Sequence, residues 1–205
     1  MSRNSDKYAA YAEHPRYGRR PNITGLNPDP LDRGIILHWR DADSHTDGDQ
    51  PRRIPNTAIV ADLDRQTPAT MPVTHYFDLE RRCRDCRQWF IFFAEEQKLW
   101  YEALGFPLES DCVRCVECRR RQRGIARQRE VYEELFHVSD RTIEQSLEMA
   151  DACLSLIEAG IFTTKQAPRV RMLLNAIPDD ADVRKHSRFD KLVERVVAVE
   201  IRTTS

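Results

Sequence analysis

The last third of the chain shows the clearest alternation of apolar and polar positions. Six apolar residues recur there at steps of four and three and so share one helix face: Ile143, Leu147, Ala150, Leu154, Ile157 and Ile161. Ser139 is the predicted N-cap, Asp140 places a carboxylate in the first turn, and Gly160 is predicted to end the helix. A stripe of this width favours an internal core, and contact with a helical partner or a second copy is the alternative.

Shorter apolar patterns predict further helices on both sides of this one. Val131 and Leu135 have the i, i+4 spacing of a helix face. A helix is predicted from about residue 167 to 176, because one proline suits its first turn and another follows its end. A capping box that starts at Ser187 precedes one more apolar run. Residues 125–205 are therefore predicted to form a helical domain.

The middle of the chain changes abruptly to aromatic residues and cysteines. Residues 88–93 are aromatic and β-branched, which predicts a strand. Residues 94–104 predict a helix with Leu99, Trp100 and Leu104 near one face. The aromatic residues of this section are interpreted as a small core rather than a surface that stacks bases: Trp89, Phe90, Phe92, Trp100, Tyr101 and Phe106.

The N-terminal region has few apolar repeats and many turn-forming residues. Eight of the 11 prolines fall within the first 72 residues, a composition that buries too little surface to offset the entropy of ordering. Residues 1–52 are therefore predicted to be flexible, with one short strand at 34–39. The expected fold class is α+β, with a cysteine-containing module over 53–124 between this region and the helical domain over 125–205.

Five of the six cysteines form two closely spaced groups. The first is Cys83-x-x-Cys86, and the second, 25 residues later, is Cys112-x-x-Cys115-x-x-Cys118. Two CxxC turns supply a tetrahedral set of thiolates for zinc. A redox pair needs one CxxC motif in a βαβ context, and a disulfide framework suits a secreted chain. We find neither context in the sequence, so a structural zinc ion is the predicted cofactor.

Four ligand positions are available to these five cysteines. Geometry permits either Cys112 and Cys115 or Cys115 and Cys118 as the second pair. The arginine-rich run after Cys118 opens a predicted helix, and free amides at a helix N-terminus stabilise a thiolate. This favours Cys83, Cys86, Cys115 and Cys118 as the ligands, with Cys112 as the alternative for one position of the second pair.

Short motifs of the middle section occur in a distinctive order and spacing. Along the chain they are Arg53–Ala58, Ala61-Asp62-Leu63, Cys83-x-Asp85-Cys86, Phe90-x-Phe92, Ala94-x-Glu96-Gln97, Trp100-Tyr101, Gly105-Phe106 and Arg114-Cys115-x-x-Cys118-Arg119. With these motifs, about residues 52–123 resemble the bacterial probable zinc-ribbon domain family, whose pattern has glycine where this chain has Arg87. The resemblance implies a zinc-ribbon fold and no particular activity. It also implies the same zinc ligands: Cys83, Cys86, Cys115 and Cys118. Because the second cysteine pair enters a predicted helix, the arrangement can equally be called treble-clef-like.

Charge is balanced over the whole chain but not locally. Lysine and arginine number 32 against 33 aspartate and glutamate, a net charge of -1, which argues against a globally basic nucleic-acid binder. The stretch Arg114–Arg129 is locally basic, with seven arginines and one acidic residue. Candidate phosphate contacts are Arg119, Arg120, Arg121, Arg123 and Arg127. The alternative is a solvated helix face whose arginines pair with Glu130, Glu133 and Glu134.

The motifs predict a binding protein rather than an enzyme. Four cysteines close the zinc coordination sphere, whereas catalytic zinc keeps an open position. The sequence also shows no catalytic triad, HExxH motif, phosphate-binding glycine loop, apolar membrane span or secretory signal, so we expect a cytoplasmic protein without membrane contact. The predicted function is a structural zinc module that serves as a protein-interaction platform. The alternative is nucleic-acid binding through Arg114–Arg129, and a homodimer through the C-terminal helices is a further expectation.

Overall fold

The structure, a computed structural model, describes residues 6–28, 51–67 and 73–204. The chain divides into two compact units, Met1–Arg119 and Arg120–Ser205. The first unit contains short strands and both cysteine turns, and the second unit is helical. The predicted α+β fold class is therefore confirmed. The short strand that the sequence predicts after the N-terminal prolines lies outside the described residues.

The strands of the first unit are short, antiparallel and arranged in two sheets. They are β1 (Arg52–Arg53), β2 (Ile59–Val60), β3 (His75–Tyr76), β4 (Leu79–Arg82) and β5 (Trp89–Phe92). β4 lies between β1 and β5, and β2 pairs with β3. In the β4–β5 hairpin, Leu79 is opposite Phe92. Phe90 and Phe92 enter one apolar cluster and Ile91 enters another, so both faces of β5 are covered.

Helix α1 (Ala94–Lys98) follows β5 and continues as a π-helical turn over Leu99–Ala103. Leu99 and Leu104, which the sequence pattern places near one face of this helix, are 40% and 55% exposed. Gln97 is buried instead, where its side-chain amide donates to two backbone carbonyls of the module. A polar side chain with its hydrogen bonds satisfied can take an inward position, which an apolar pattern does not reveal.

The predicted aromatic core is confirmed in part. Phe90, Phe92 and Tyr101 are buried, whereas Trp89 and Phe106 are 36% and 41% exposed. The two exposed rings each pack against a neighbouring aromatic ring. A module of this size has few fully enclosed positions, so part of its aromatic surface stays at the edge.

Residues 6–28, part of the region that the sequence predicts to be largely flexible, lie against the sheets of the first unit. The amide of Ala12 donates to the carbonyl of Trp89 at 2.7 Å. The segment is held because its tyrosines pack in one apolar cluster with residues from β5 and its surroundings: Tyr8, Tyr11, Tyr17, Ile54, Ile91 and Phe93. These contacts join residues that are far apart in sequence, so composition does not indicate them.

The second unit is built around helices. They are α2 (Val116–Phe136), which begins in the first unit, α3 (Ile143–Glu158), α4 (Ala167–Asn175) and α5 (Ser187–Thr204). α3 packs against α4 and α5, and α4 packs against α5. The middle of the predicted stripe on α3 is buried in this core, whereas Ile143 and Ile161 at its ends are exposed. Among the described residues, no helix is long and apolar enough to cross a membrane.

Helix α3 begins later than the sequence analysis predicted. The amide of Gln145 donates to the hydroxyl of Thr142 at 3.2 Å, and the amide of Thr142 donates to the side chain of Gln145 at 2.9 Å. This capping box satisfies two amides at once. The prediction of Ser139 as N-cap is therefore wrong. Gly160 follows the helix with a φ of 72°, as its predicted role at the helix end requires.

Candidate metal centre

The first CxxC turn is the connection between β4 and β5. The amide of Cys83 donates to the carbonyl of Gln88 at 2.9 Å, and the amide of Arg87 donates to the carbonyl of Cys83 at 3.0 Å. Arg87 has a φ of 61°, a left-handed conformation that glycine adopts without a steric cost. The chain takes this conformation with arginine at a cost of roughly 1 kcal/mol.

The second CxxC turn leads directly into α2. Cys115 precedes the helix, Cys118 is its third residue, and the amide of Arg119 donates to the carbonyl of Cys115 at 3.0 Å. The free amides and the positive end of the helix dipole favour thiolates at this position. The amide of Arg84 donates to the carbonyl of Val113 at 2.9 Å, which holds the second turn beside the first.

These two turns bring four sulfur atoms together. The Sγ atoms lie within 4.8 Å of one another and belong to Cys83, Cys86, Cys115 and Cys118. Those of Cys86 and Cys115 are 3.8 Å apart. A tetrahedral ion with Zn–S bonds of about 2.3 Å has its sulfur ligands about 3.8 Å apart. The cluster is therefore a four-cysteine metal-binding site, and its all-sulfur donor set suggests zinc.

Backbone amides around the sulfurs favour ionisation of Cys83. Burial acts in the opposite direction, but hydrogen bonds from three amides lower the pKa of the Cys83 thiol to about 7, and these amides belong to Cys86, Cys115 and Asp85. Burial raises the pKa of the Cys115 and Cys118 thiols. A divalent cation offsets that cost, because it stabilises the thiolates that bind it.

Cys112 does not belong to this group of sulfurs. Its side chain is buried, and its Sγ lies 3.5 Å from the carbonyl oxygen of Arg114. Burial raises the pKa of the Cys112 thiol to about 12. The geometry thus brings Cys115 and Cys118, rather than Cys112, to the first cysteine pair.

Ion pairs connect the elements around the centre. Arg114 Nε lies 2.9 Å from a carboxylate oxygen of Asp85, which joins the second turn to the first. Arg119 donates to Glu96 of α1 at 2.6 Å, and its guanidinium lies over the ring of Trp100. Neither pair was predicted from the sequence. The signal that could have indicated the first is an acidic residue inside one CxxC turn and an arginine directly before the other.

The five predicted phosphate-contacting arginines have different surroundings. Arg119 is held by Glu96, whereas four are exposed along α2: Arg120, Arg121, Arg123 and Arg127. Within the described part of the chain these four form no ion pair. The predicted pairing with the three glutamates at the end of α2 is therefore not seen among the described residues.

Comparison with known proteins identifies the module but not its biological role. Residues 77–127 match the model of a family described as "Probable treble clef domain". This stretch covers the cysteine turns, α1 and the first half of α2, and the match agrees with the zinc-ribbon-like resemblance of the sequence. No curated protein and no solved structure matches the chain significantly.

Proposed function

We propose that this is a non-enzymatic zinc protein whose first unit is a platform for binding a protein partner. A structural role for the zinc ion is supported by the four cysteines, which supply a complete tetrahedral set and leave no ligand position for water. None of the six cysteines forms a disulfide, which suits a reducing compartment, and we place the protein in the cytoplasm on that ground.

The observation that carries the platform proposal is a set of exposed apolar side chains on the first unit. Leu63, Leu99, Leu104 and Phe106 are 47%, 40%, 55% and 41% exposed. The 3₁₀ turn that contains Leu63 contacts the π-helical turn that contains Leu99. We call these four residues the apolar edge. Adjacent exposed apolar residues on a protein surface are typical of contact sites for other proteins.

A quantitative pull-down tests the proposal with two matched double variants. The variant L99S/L104S removes two residues of the apolar edge. The control M172S/I201S removes two residues of the second unit that are 58% and 61% exposed. Full-length tagged, zinc-loaded proteins are mixed with native lysate after nuclease treatment. We expect proteins retained by the wild type and the control to be lost from L99S/L104S.

The proposal fails if no protein is retained above the level of the tag, or if both double variants retain the same proteins. Zinc content and helical circular dichroism are measured on each protein first. Because all four substituted side chains are substantially exposed, we expect both values to match the wild type.

Nucleic-acid binding is a second candidate function, and a separate observation favours it. The exposed arginines of α2 belong to the second unit, whereas the apolar edge belongs to the first. The two candidates therefore rest on different residues and can fail independently.

A further inference from the structure

The arginines of α2 divide into held and exposed groups. Arg114, just before the helix, and Arg119 are each held by a carboxylate of the first unit. The next five are exposed, and none forms an ion pair within the described residues: Arg120, Arg121, Arg123, Arg127 and Arg129. Because the chain as a whole has a net charge of -1, this positive charge is a local feature of one helix.

Three of the exposed arginines share one face. Arg120, Arg123 and Arg127 have the spacing i, i+3, i+7, so they form a row about 10 Å long on an α-helix. Arg121 and Arg129 project more than about 100° away from this row. The helix therefore offers both a row of guanidinium groups and a matched pair of arginines off that row.

Gly124 lies on the same face, between Arg120 and Arg127. Glycine inside a helix is less favourable than alanine by roughly 1 kcal/mol. A Cβ atom at Gly124 would meet nothing within 4 Å, so packing of the described residues does not require glycine here. The missing side chain instead leaves the helix backbone open to a partner that approaches between the arginines.

We propose that this face, formed by Arg120, Arg123, Gly124 and Arg127, binds the phosphate backbone of nucleic acid without reading its sequence. Guanidinium groups donate two parallel hydrogen bonds to a phosphate, and a duplex presents a dense, regular row of such charges. The residues of this face carry no aromatic or amide side chain that could stack on or read a base. Arginine can also read guanine in the major groove, so equal binding to duplexes of unrelated sequence is the observation that identifies a contact with phosphates alone.

Two double variants of full-length, zinc-loaded protein test this inference. R123Q/R127Q removes two arginines of the row, and R121Q/R129Q removes the same charge from elsewhere on the helix. Binding to a labelled short DNA duplex is measured by fluorescence anisotropy over a range of salt concentrations. For the wild type, three phosphate contacts predict a slope of about -2.7 when the logarithm of the association constant is plotted against the logarithm of the salt concentration.

We expect the slope of R123Q/R127Q to be less negative than that of the wild type by about two. R121Q/R129Q is expected to bind the duplex nearly as tightly as the wild type does. A second duplex of unrelated sequence is expected to bind equally well. The inference is overturned by an absence of duplex binding at low salt, or by equal weakening in the two double variants. Stronger binding to polyglutamate than to the duplex would instead indicate an acidic protein partner and would also overturn it.

The substitution Gly124→Ala tests the close approach separately. Alanine is expected to raise the thermal stability of the second unit, because it favours the helix and meets no neighbouring atom. Duplex binding is expected to weaken despite the higher stability. Unchanged duplex binding would contradict the close approach of the phosphate backbone to the helix.

Discussion

The two units of this protein are stabilised in different ways. In the first unit, apolar residues are divided among several small clusters, and one of these includes three of the four cysteines of the metal site, Cys83, Cys115 and Cys118. In the second unit, one larger cluster joins α2, α3, α4 and α5. A small module with divided cores depends on a metal ion for its free energy of folding, whereas a helical unit with one core depends on apolar burial.

Loss of a zinc ligand should produce the largest difference in stability between the two units. Cys83→Ser is expected to abolish zinc retention and to unfold the first unit, because structural zinc contributes on the order of 10 kcal/mol in small zinc modules. The helices of the second unit are expected to persist. Metal analysis, together with amide hydrogen exchange resolved along the chain, measures both effects. Equal loss of protection in both units would contradict the separation.

A cavity in the second unit should destabilise that unit and leave the metal site intact. Leu154 is fully buried in α3, and Leu154→Ala is expected to lower the free energy of unfolding of this unit by about 2–5 kcal/mol. Zinc content should remain that of the wild type, since Leu154 is not part of the metal module. Denaturant unfolding and metal analysis on the same sample check the prediction, and zinc loss without denaturant would contradict it.

The ion pair between the two cysteine turns should have a smaller effect. Asp85→Asn keeps the size of the side chain but removes the charge that pairs with Arg114. We expect zinc affinity to fall by about tenfold, because residues that orient metal ligands typically change affinity by 10–100-fold. Competition with a chromophoric chelator measures the change. Lys185→Gln, which removes an exposed ion pair in the second unit, is the control and should leave zinc affinity unchanged.

The smallest predicted effect concerns the backbone of the first cysteine turn. Arg87→Gly should relieve the left-handed conformation at this position and stabilise the first unit by up to about 1 kcal/mol. The carbonyl of residue 87, which accepts a hydrogen bond from Arg82, is retained. A lower midpoint of thermal unfolding for the first unit would show that other contacts of the Arg87 side chain outweigh the strain.

Local features of the sequence predicted the elements that depend on short-range geometry. A CxxC turn closes within a few residues, so spacing indicated the first turn, and the helix predicted after Cys118 favoured Cys115 and Cys118 as the second pair. The structure brings the sulfurs of these two turns within 4.8 Å of one another. The 4/3 pattern likewise predicted α3, whose middle is buried as an amphipathic helix requires. Its start was less well predicted, because Ser139 and Thr142 are both acceptable N-caps by residue type.

Tertiary structure alone decided which charged and polar residues in and next to the metal module are buried or paired and which stay exposed. Arg119 and Arg120 are adjacent and chemically identical, yet one is held by Glu96 and the other is exposed. Gln97 is buried while Leu99 is exposed, because buried carbonyls accept hydrogen bonds from the Gln97 side chain. Such outcomes depend on partners far away in the sequence. Short-range patterns therefore determined the turns and helices, whereas long-range contacts determined which side chains remain available for binding.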